Sequence, residues 1–256
     1  VGDLGVGEDV HQGRPARLEG PLPGDTHVVV RAAAAQSGDA GSGKGRHQSM
    51  AEQRDLVGES FFEYGSRVGV WRVLDLMDKH GIKCTFLATG LALERNPAVA
   101  SEITGRGHEP AGHGYRWIEH HSMDRDQERE SIAKAVDAIR RTTGERPLGW
   151  MPRYGSSLNT RELLVKEGGF VYDSCHALND DLPYYQRVAG KPWLVVPYAN
   201  DINDGRAFRG GGGGPDDFYN VMRYSFDTLY AEGAARPKMM TVALHCRVSG
   251  RPAMAY

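Results

Sequence analysis

Four of the chain's ten histidines lie within residues 107–121, GHEPAGHGYRWIEHH. Imidazole is the commonest metal-ligating side chain and titrates near neutral pH, so such a cluster is typical of metal binding or acid–base catalysis. The ligand pair that would be expected here is incomplete, because Trp117 stands four residues after His113. The stretch therefore predicts either a metal site that has lost a ligand or a different catalyst on the same frame.

Other polar side chains stand where apolar runs of the sequence end. In parallel α/β proteins the carboxyl ends of the strands form the active site. One histidine at such an end is most often a structural residue, but a set of polar residues at five strand ends favours a catalytic site. The members after His113 are Arg153, Tyr154, Asp173, Asn200, Asp201 and His245.

Alternating helix and strand patterns must hold these residues. Residues 65–81 place Val70, Leu74 and Met77 on one helical face, and residues 122–144 carry acids early, arginines late and Gly144 at the end. Further helices are expected at residues 160–167 and 218–232. Apolar runs between the helices read as strands, which gives six alternations and predicts a parallel sheet or an irregular (β/α) barrel.

Residues 1–54 differ from residues 55–256. No Phe, Tyr, Trp, Ile or Cys precedes Phe61, and ten glycines fall in the first fifty residues. Such a stretch buries too little apolar surface to offset its ordering entropy, so we expect a low-complexity segment that is disordered or not native to the domain. The run THVVVRAAAA is the one strand candidate there, and it leaves the first strand uncertain.

The overall composition excludes several classes of partner. Lys and Arg number 31 against 33 Asp and Glu, for a net charge of −2, so no basic excess attracts nucleic acid or an anionic membrane. No apolar run reaches the roughly 20 residues of a bilayer span, and no signal peptide opens the chain. Cys84, Cys175 and Cys246 are far apart and are expected to be buried thiols, so a cytoplasmic protein is predicted. The sequence leaves a homo-oligomer open.

The order of the motifs resembles that of the polysaccharide deacetylase (NodB homology) family. GHEPAGHG is similar to its second motif, a His-x-x-x-His metal pair, and MPRYG to its third, whose arginine lies beside a catalytic aspartate. YDSCHALNDDLPYY resembles the fourth motif and VALHC the fifth, whose histidine is a general acid. The resemblance runs from Phe61 to Arg251 and implies an irregular (β/α) barrel of about seven strands.

The departures from the family concern its metal and its ends. The first motif, an aspartate pair after the first strand, is not recognisable, although Asp25 and Asp39 are weak candidates. With Trp117 in the second position, two of three metal ligands are absent from their places, so we expect no cofactor, and a zinc ion on His113 is the alternative. The family continues past HCRVSGRP with a further helix and strand, so residues 55–256 are expected to be a truncated domain.

Replacement ligands after Trp117 are a weaker hypothesis. Glu119, His120 and His121 are adjacent, and adjacent side chains point in different directions. We therefore expect His120 and His121 in a solvated loop, with Asp124 capping the helix that follows.

The combination FFEYGSRVGVWR, GHGYRWIEH, NDDLPYY and HCRVSGRP is similar to one branch of this family. The branch contains allantoinases and related cyclic ureide or imide hydrolases, in which the ligand pair is replaced and metal is dispensable. The resemblance implies a hydrolase of non-peptide carbon–nitrogen bonds that acts in purine catabolism on a small molecule. Trp117 would then be a flat apolar wall for a planar ring, and Arg153 a clamp on its carbonyls or carboxylate.

The same resemblance suggests a role for each site residue. His245 would protonate the leaving nitrogen, His113 would position or deprotonate water, and Asp173 would orient His245 or Arg153. Glu63 and Glu119 are reserve bases. The residues expected to bind substrate are Trp117, Tyr154, Glu119, Asp181 and Asn200.

Two other functions stay open. A metal-dependent N-deacetylase of acetylated sugars would need an open groove, for which Tyr184, Tyr185 and Trp193 are the aromatic candidates. A catalytically impaired binding module would follow from the missing first motif. The small-molecule partner of a cyclic ureide hydrolase would be a cyclic ureide, and that of the N-deacetylase would be an acetylated sugar.

Overall fold

The computed structural model describes residues 28–31, 56–153, 155–175, 180–208 and 213–255. Except for strand 28–31, the segment 1–54 lies outside the described residues, and so does the expectation of disorder there. Asp25, Asp39 and Tyr154 are likewise outside them.

Eight strands form one sheet in the order β6-β7-β5-β4-β3-β2-β1-β8. All neighbouring strands are parallel except β6 and β7. This architecture confirms the predicted alternating α/β fold, and the described pairings leave the sheet open between β6 and β8. The strands are β1 Val28–Arg31, β2 Cys84–Ala88, β3 Glu109–Gly112, β4 Gly149–Trp150, β5 Tyr172–Asp173, β6 Tyr184–Val188, β7 Lys191–Val195 and β8 Val242–His245.

The strand that the sequence left uncertain lies between β2 and β8. Val29 is in register with Thr85 on one side and with Ala243 on the other, and Arg31 is in register with His245. Parallel strands with neighbours on both sides read as continuous apolar runs without alternation, so periodicity could not identify VVVR as a strand.

The helices connect these strands and cover the sheet. A π-helical turn, Gly65–Gly69, joins α1 to α2, and short 3-10 turns lie at His120–Ser122 and Pro252–Met254. The α-helices are α1 Leu56–Tyr64, α2 Val70–Lys79, α3 Gly90–Arg95, α4 Pro97–Gly105, α5 Arg125–Thr143, α6 Thr160–Glu167, α7 Asp204–Ala207 and α8 Pro215–Gly233.

Helix α5 confirms the predicted cap and stop. The Asp124 side chain accepts hydrogen bonds from the Asp126 and Gln127 amides. The Asp124 amide donates to Oε1 of Gln127, which completes a capping box. Gly144 follows with φ of 80°, a left-handed conformation that glycine adopts without strain. The predicted core residues Ile132, Val136 and Ile139 are buried.

The hairpin β6–β7 was not predicted. Its turn is formed by Ala189 and Gly190, whose φ angles are 49° and 81°. Two consecutive positive φ angles characterise a type I′ hairpin turn, which matches the twist of antiparallel strands. Ala-Gly is a weaker hairpin signal than Asn-Gly, so the sequence does not indicate this turn.

The interior is apolar and holds the thiols as expected. One cluster of buried side chains joins α2, β2 and α4, and a second surrounds Trp150. Cys84 and Cys246 are buried, Cys175 is half-buried, and burial raises the pKa of the Cys84 and Cys246 thiols to about 12. In the described part of the chain no helix combines the length and apolarity needed to cross a bilayer.

Candidate active site

His113 follows β3 directly and is completely buried. Its Nδ1 contacts the carbonyl oxygen of Met151, and its Nε2 lies 3.1 Å from Nε1 of Trp117. An indole N–H can only donate, so Nε2 of His113 accepts and Nδ1 carries the proton that is donated to Met151. The imidazole is therefore neutral, and the lone pair that a metal would need is bound to Trp117.

Two guanidinium groups lie over the Trp117 ring. The guanidinium carbon of Arg153 is 4.1 Å from the ring centroid and that of Arg247 is 5.5 Å away. Arg153 also donates from Nη1 to the Trp117 carbonyl at 3.1 Å. Cations over an indole face are attracted by its quadrupole. Trp117 is the residue expected to be a flat apolar wall for a planar ring, and in the structure two guanidinium groups lie over its ring.

Arg247 was missed by sequence reasoning. It lies two residues beyond β8, is only 7% exposed, and its guanidinium carbon is 4.7 Å from the Phe62 ring. Phe62 in turn meets Trp117 edge-on, with ring centroids 5.6 Å apart. The sequence offered no signal because Arg247 stands in a turn outside any periodic segment.

Glycines in the π-helical turn allow this close packing. A Cβ added to Gly65 would lie 2.8 Å from Cβ of Arg247, and one added to Gly69 would lie 2.0 Å from the Cys246 carbonyl oxygen. Separations below 3 Å cannot be accommodated without movement. π-Helical insertions are frequent at functional sites, and this one fixes the segment that carries Arg247.

His245 ends β8 and is bound to a carboxylate. Its Nδ1 is 2.5 Å from Oδ1 of Asp204, and its amide donates to Oδ2 of Asp204 at 2.7 Å. Ser249 Oγ donates to the same Oδ2 at 2.6 Å. Asp204 is fully buried and His245 nearly so. This arrangement holds the imidazole in one orientation and stabilises its protonated form, which suits proton transfer at Nε2.

The partner of His245 was not the one predicted. Asp173, expected to orient His245 or Arg153, binds Arg161 through two bonds of 2.7 and 3.1 Å and accepts from Trp193 Nε1 at 2.5 Å. Arg161 stands on α6, which brings its guanidinium back over the end of β5. Asp173 is therefore tied to a buried ion pair beside the sheet.

The orienting carboxylate lies three residues beyond the predicted Asn200 and Asp201. In the sequence ANDIND the second Asn-Asp pair is the buried one: Asn203 is 3% exposed and Asp204 is 0% exposed. Asn203 forms an isolated β-bridge with Ala243 of β8, so the chain segment after β7 passes beside β8. Asp201 is exposed and Asn200 is half-buried. The repeat of Asn-Asp was the signal that could have identified this residue.

His120 contradicts the expectation of a solvated loop. It is completely buried, and its Nδ1 lies 3.3 Å from the Glu128 carboxylate, which also accepts from Ser157 and Thr160 at 2.5 Å. Burial raises the pKa of Glu128, but the hydrogen bonds from these three residues outweigh it and lower the pKa below its ordinary value. Glu128 thus connects the loop that carries Trp117 to the loop that carries Arg153.

Other predicted residues make ion pairs of their own. His121 is exposed as expected, and it contacts Glu119 at 3.4 Å. Asp181 binds Lys238 at 2.8 Å and lines a separate cavity of about 780 Å³ beside α8. Glu63 is exposed and lies 4.0 Å from Arg67.

The residues around His113 do not fit a three-ligand zinc site. The second ligand position holds an indole that occupies the His113 lone pair, and the described residues include no cluster of three His, Cys, Asp or Glu side chains that could hold a metal ion. Of the three possible replacement ligands, His120 contacts Glu128, and Glu119 and His121 contact each other.

Comparison with known proteins places the chain in a family. The family model for polysaccharide deacetylase matches residues 57–172. A Schizosaccharomyces pombe protein grouped with polysaccharide deacetylases is 41% identical over 212 residues, which are 76% of this chain and 66% of the relative. The peptidoglycan deacetylase of Helicobacter pylori is 34% identical over 142 residues, 55% of this chain and 48% of its own length. The chain thus spans about half to about two thirds of the length of these curated relatives.

Among solved structures, the PuuE allantoinase superposes with a TM-score of 0.79 and 41% identity, over 90% of this chain and 80% of that one. Fold, motifs and identity therefore agree with the resemblance that the sequence suggested. The chain belongs to the polysaccharide deacetylase family, whose members hydrolyse carbon–nitrogen bonds other than peptide bonds.

Proposed function

We propose that this protein opens a cyclic ureide or imide ring by metal-independent hydrolysis of an amide-type carbon–nitrogen bond. The observation that carries the proposal is the 3.1 Å bond from the Trp117 indole to Nε2 of His113. This hydrogen bond occupies the lone pair on Nε2 of His113, which metal-dependent members of the fold would use to bind the metal. The similarity to an allantoinase supports an allantoin-like substrate.

His245 and Asp204 supply the proton transfers. His245 Nε2 takes a proton from water as the water oxygen attacks the ring carbonyl, which forms a tetrahedral oxyanion. The oxyanion collapses, the carbon–nitrogen bond breaks, and the imidazolium returns its proton to the departing nitrogen. Asp204, 2.5 Å from Nδ1, stabilises the imidazolium between the two steps. One residue then acts as base and as acid, and the products are an amine-type nitrogen and a carboxylic acid.

Arg153 is the clamp and His113 a positioning residue. The Arg153 guanidinium is held against the Trp117 ring at 4.1 Å and bonded to its carbonyl, so it presents positive charge to the oxyanion without reorganisation. His113 fixes the Trp117 ring through its accepting Nε2. The alternative role of His113 as a water base would require the indole to leave that nitrogen.

The second candidate is an N-deacetylase of acetylated sugars. The family model and the Helicobacter pylori relative favour it, since both carry the name of that activity. Trp193, expected to line its groove, is 5% exposed and donates to Asp173, so it contributes to packing. Tyr185 remains exposed, at 72%.

The test is hydrolysis of allantoin by the purified protein in excess chelator, followed as release of the ring-opened acid. We expect turnover that chelator leaves unchanged and that His245→Ala abolishes. Activity on N-acetylglucosamine oligomers that chelator removes and zinc restores would instead establish the deacetylase. Turnover of allantoin that depends on added zinc would contradict the metal-independent mechanism.

A further inference from the structure

We infer that Arg247 is a specificity residue that binds the carboxylate of the ring-opened acid, so that the site holds an anionic ureido acid more tightly than the neutral ring. The inference rests on the proposed function, because the carboxylate is the one that ring opening creates. It adds a residue that neither the motifs nor the proposed proton transfers require.

Positive charge is concentrated beside the Trp117 ring. Arg153 and Arg247 both lie over the Trp117 ring, so their guanidinium carbons are within about 10 Å of each other. Arg247 is nearly buried, which weakens solvent screening of this charge. Two fixed cations beside one aromatic platform create a local positive potential that attracts an anion.

Arg247 also connects two separate parts of the sheet edge. Strands β3 and β8 are three neighbours apart in the sheet, a separation of roughly 14 Å at the ordinary strand spacing. Arg247 leaves the end of β8 beside His245 and reaches Trp117, which follows β3. It therefore links the chain segment that carries His245 to the Trp117 ring on which Arg153 also lies.

The fold also fixes the position of Arg247. The glycine of the π-helical turn at position 65 contacts the Arg247 backbone so closely that a Cβ would lie 2.9 Å from its amide nitrogen. Phe62 then packs on the guanidinium from α1. A pre-positioned guanidinium offers two parallel N–H groups to a carboxylate at little further entropic cost.

The experiment compares two ligands by isothermal titration calorimetry in the His245→Ala background, which should not hydrolyse allantoin: allantoate, the ring-opened acid, and allantoin, the neutral ring. In Arg247→Gln we expect allantoate affinity to fall about tenfold or more and allantoin affinity to change less than about threefold. Arg247→Lys keeps the charge but loses the two parallel N–H groups of the guanidinium, so its allantoate affinity should lie between those of the wild type and Arg247→Gln.

Glycine variants test the positioning. Gly65→Ala collides with Arg247 and should weaken allantoate binding in the same direction as Arg247→Gln. Gly105→Ala is the matched control, since its added Cβ meets nothing within 4 Å. It should bind both ligands as the wild type does.

The outcomes separate this inference from the proposed function. Equal weakening of both ligands in folded Arg247 variants, or unchanged allantoate binding, overturns the role of Arg247. Allantoate binding that depends on Arg247 without any hydrolysis of allantoin would overturn the proposed reaction and leave the anion site standing. Hydrolysis of allantoin, together with an allantoate affinity that neither Arg247→Gln nor Arg247→Lys changes, would overturn the role of Arg247 and leave the proposed reaction standing.

Discussion

Replacing Trp117 by phenylalanine tests the central interaction of the site. The change keeps an aromatic ring for Arg153 and deletes the indole N–H that lies 3.1 Å from His113 Nε2. Because His113 is completely buried, its Nε2 would lose a donor in a site with little access to water. Leaving a buried acceptor unsatisfied costs about 1–3 kcal/mol of unfolding free energy.

That loss is measurable in a thermal melt. For a domain of this size each kcal/mol corresponds to about 2–4 °C, so we expect the midpoint of Trp117→Phe to fall by about 2–12 °C. Trp71→Phe is the matched control, since Trp71 packs on the core from α2 and makes no part of the site. Its midpoint should change less than that of Trp117→Phe.

A second substitution at the same position tests the metal argument. Trp117→His restores the His-x-x-x-His spacing and frees the His113 lone pair, so zinc should raise its unfolding midpoint. Zinc should leave the wild-type midpoint unchanged. The reasoning is refuted if Trp117→Phe melts with the wild type, or if zinc stabilises the wild type as strongly as it stabilises Trp117→His.

Three further predictions concern buried charge. Asp204→Asn should lower kcat roughly 10²–10⁴-fold with little change in KM, because the His245 imidazolium loses its carboxylate, and steady-state kinetics on allantoin would measure this. Asp173→Asn should reduce the free energy of unfolding in urea by about 3–5 kcal/mol, because it leaves the Arg161 guanidinium without its buried partner. Burial lowers the pKa of His108 below 6.5, so native His108 stays neutral while the unfolded chain takes up a proton. Stability should fall as the pH drops below that value, and the fall in melting midpoint should be smaller in His108→Gln.

Each of these three predictions has a control. Ser249→Ala removes one hydrogen bond to Asp204 and should cost far less activity than Asp204→Asn. Lys134→Gln breaks an exposed ion pair and should change stability by at most about 1 kcal/mol. Equal pH dependence in wild type and His108→Gln would mean that other groups titrate.

The regular elements were predictable because local chemistry fixes them. Asp124 and Gly144 bound α5 through a capping box and a left-handed residue, both of which depend on neighbouring residues alone. The sequence likewise placed a polar residue at the ends of four strands, β3, β4, β5 and β8, namely His113, Arg153, Asp173 and His245. The strand β1 and the hairpin β6–β7 were not predictable, because a central parallel strand lacks alternation and an Ala-Gly turn is a weak signal.

The sequence by itself determined the family, the alternation of helices and strands, and the missing ligand at position 117, since all three depend on residue type and spacing. Only the tertiary structure decided which groups meet. His245 joins Asp204 rather than Asp173, the Trp117 indole binds His113, and Arg247 reaches the site from beyond β8. The first and the third of these contacts join residues that are 41 and 130 positions apart in the chain. Their partners are set by strand order and by the close packing at Gly65, which no local pattern encodes.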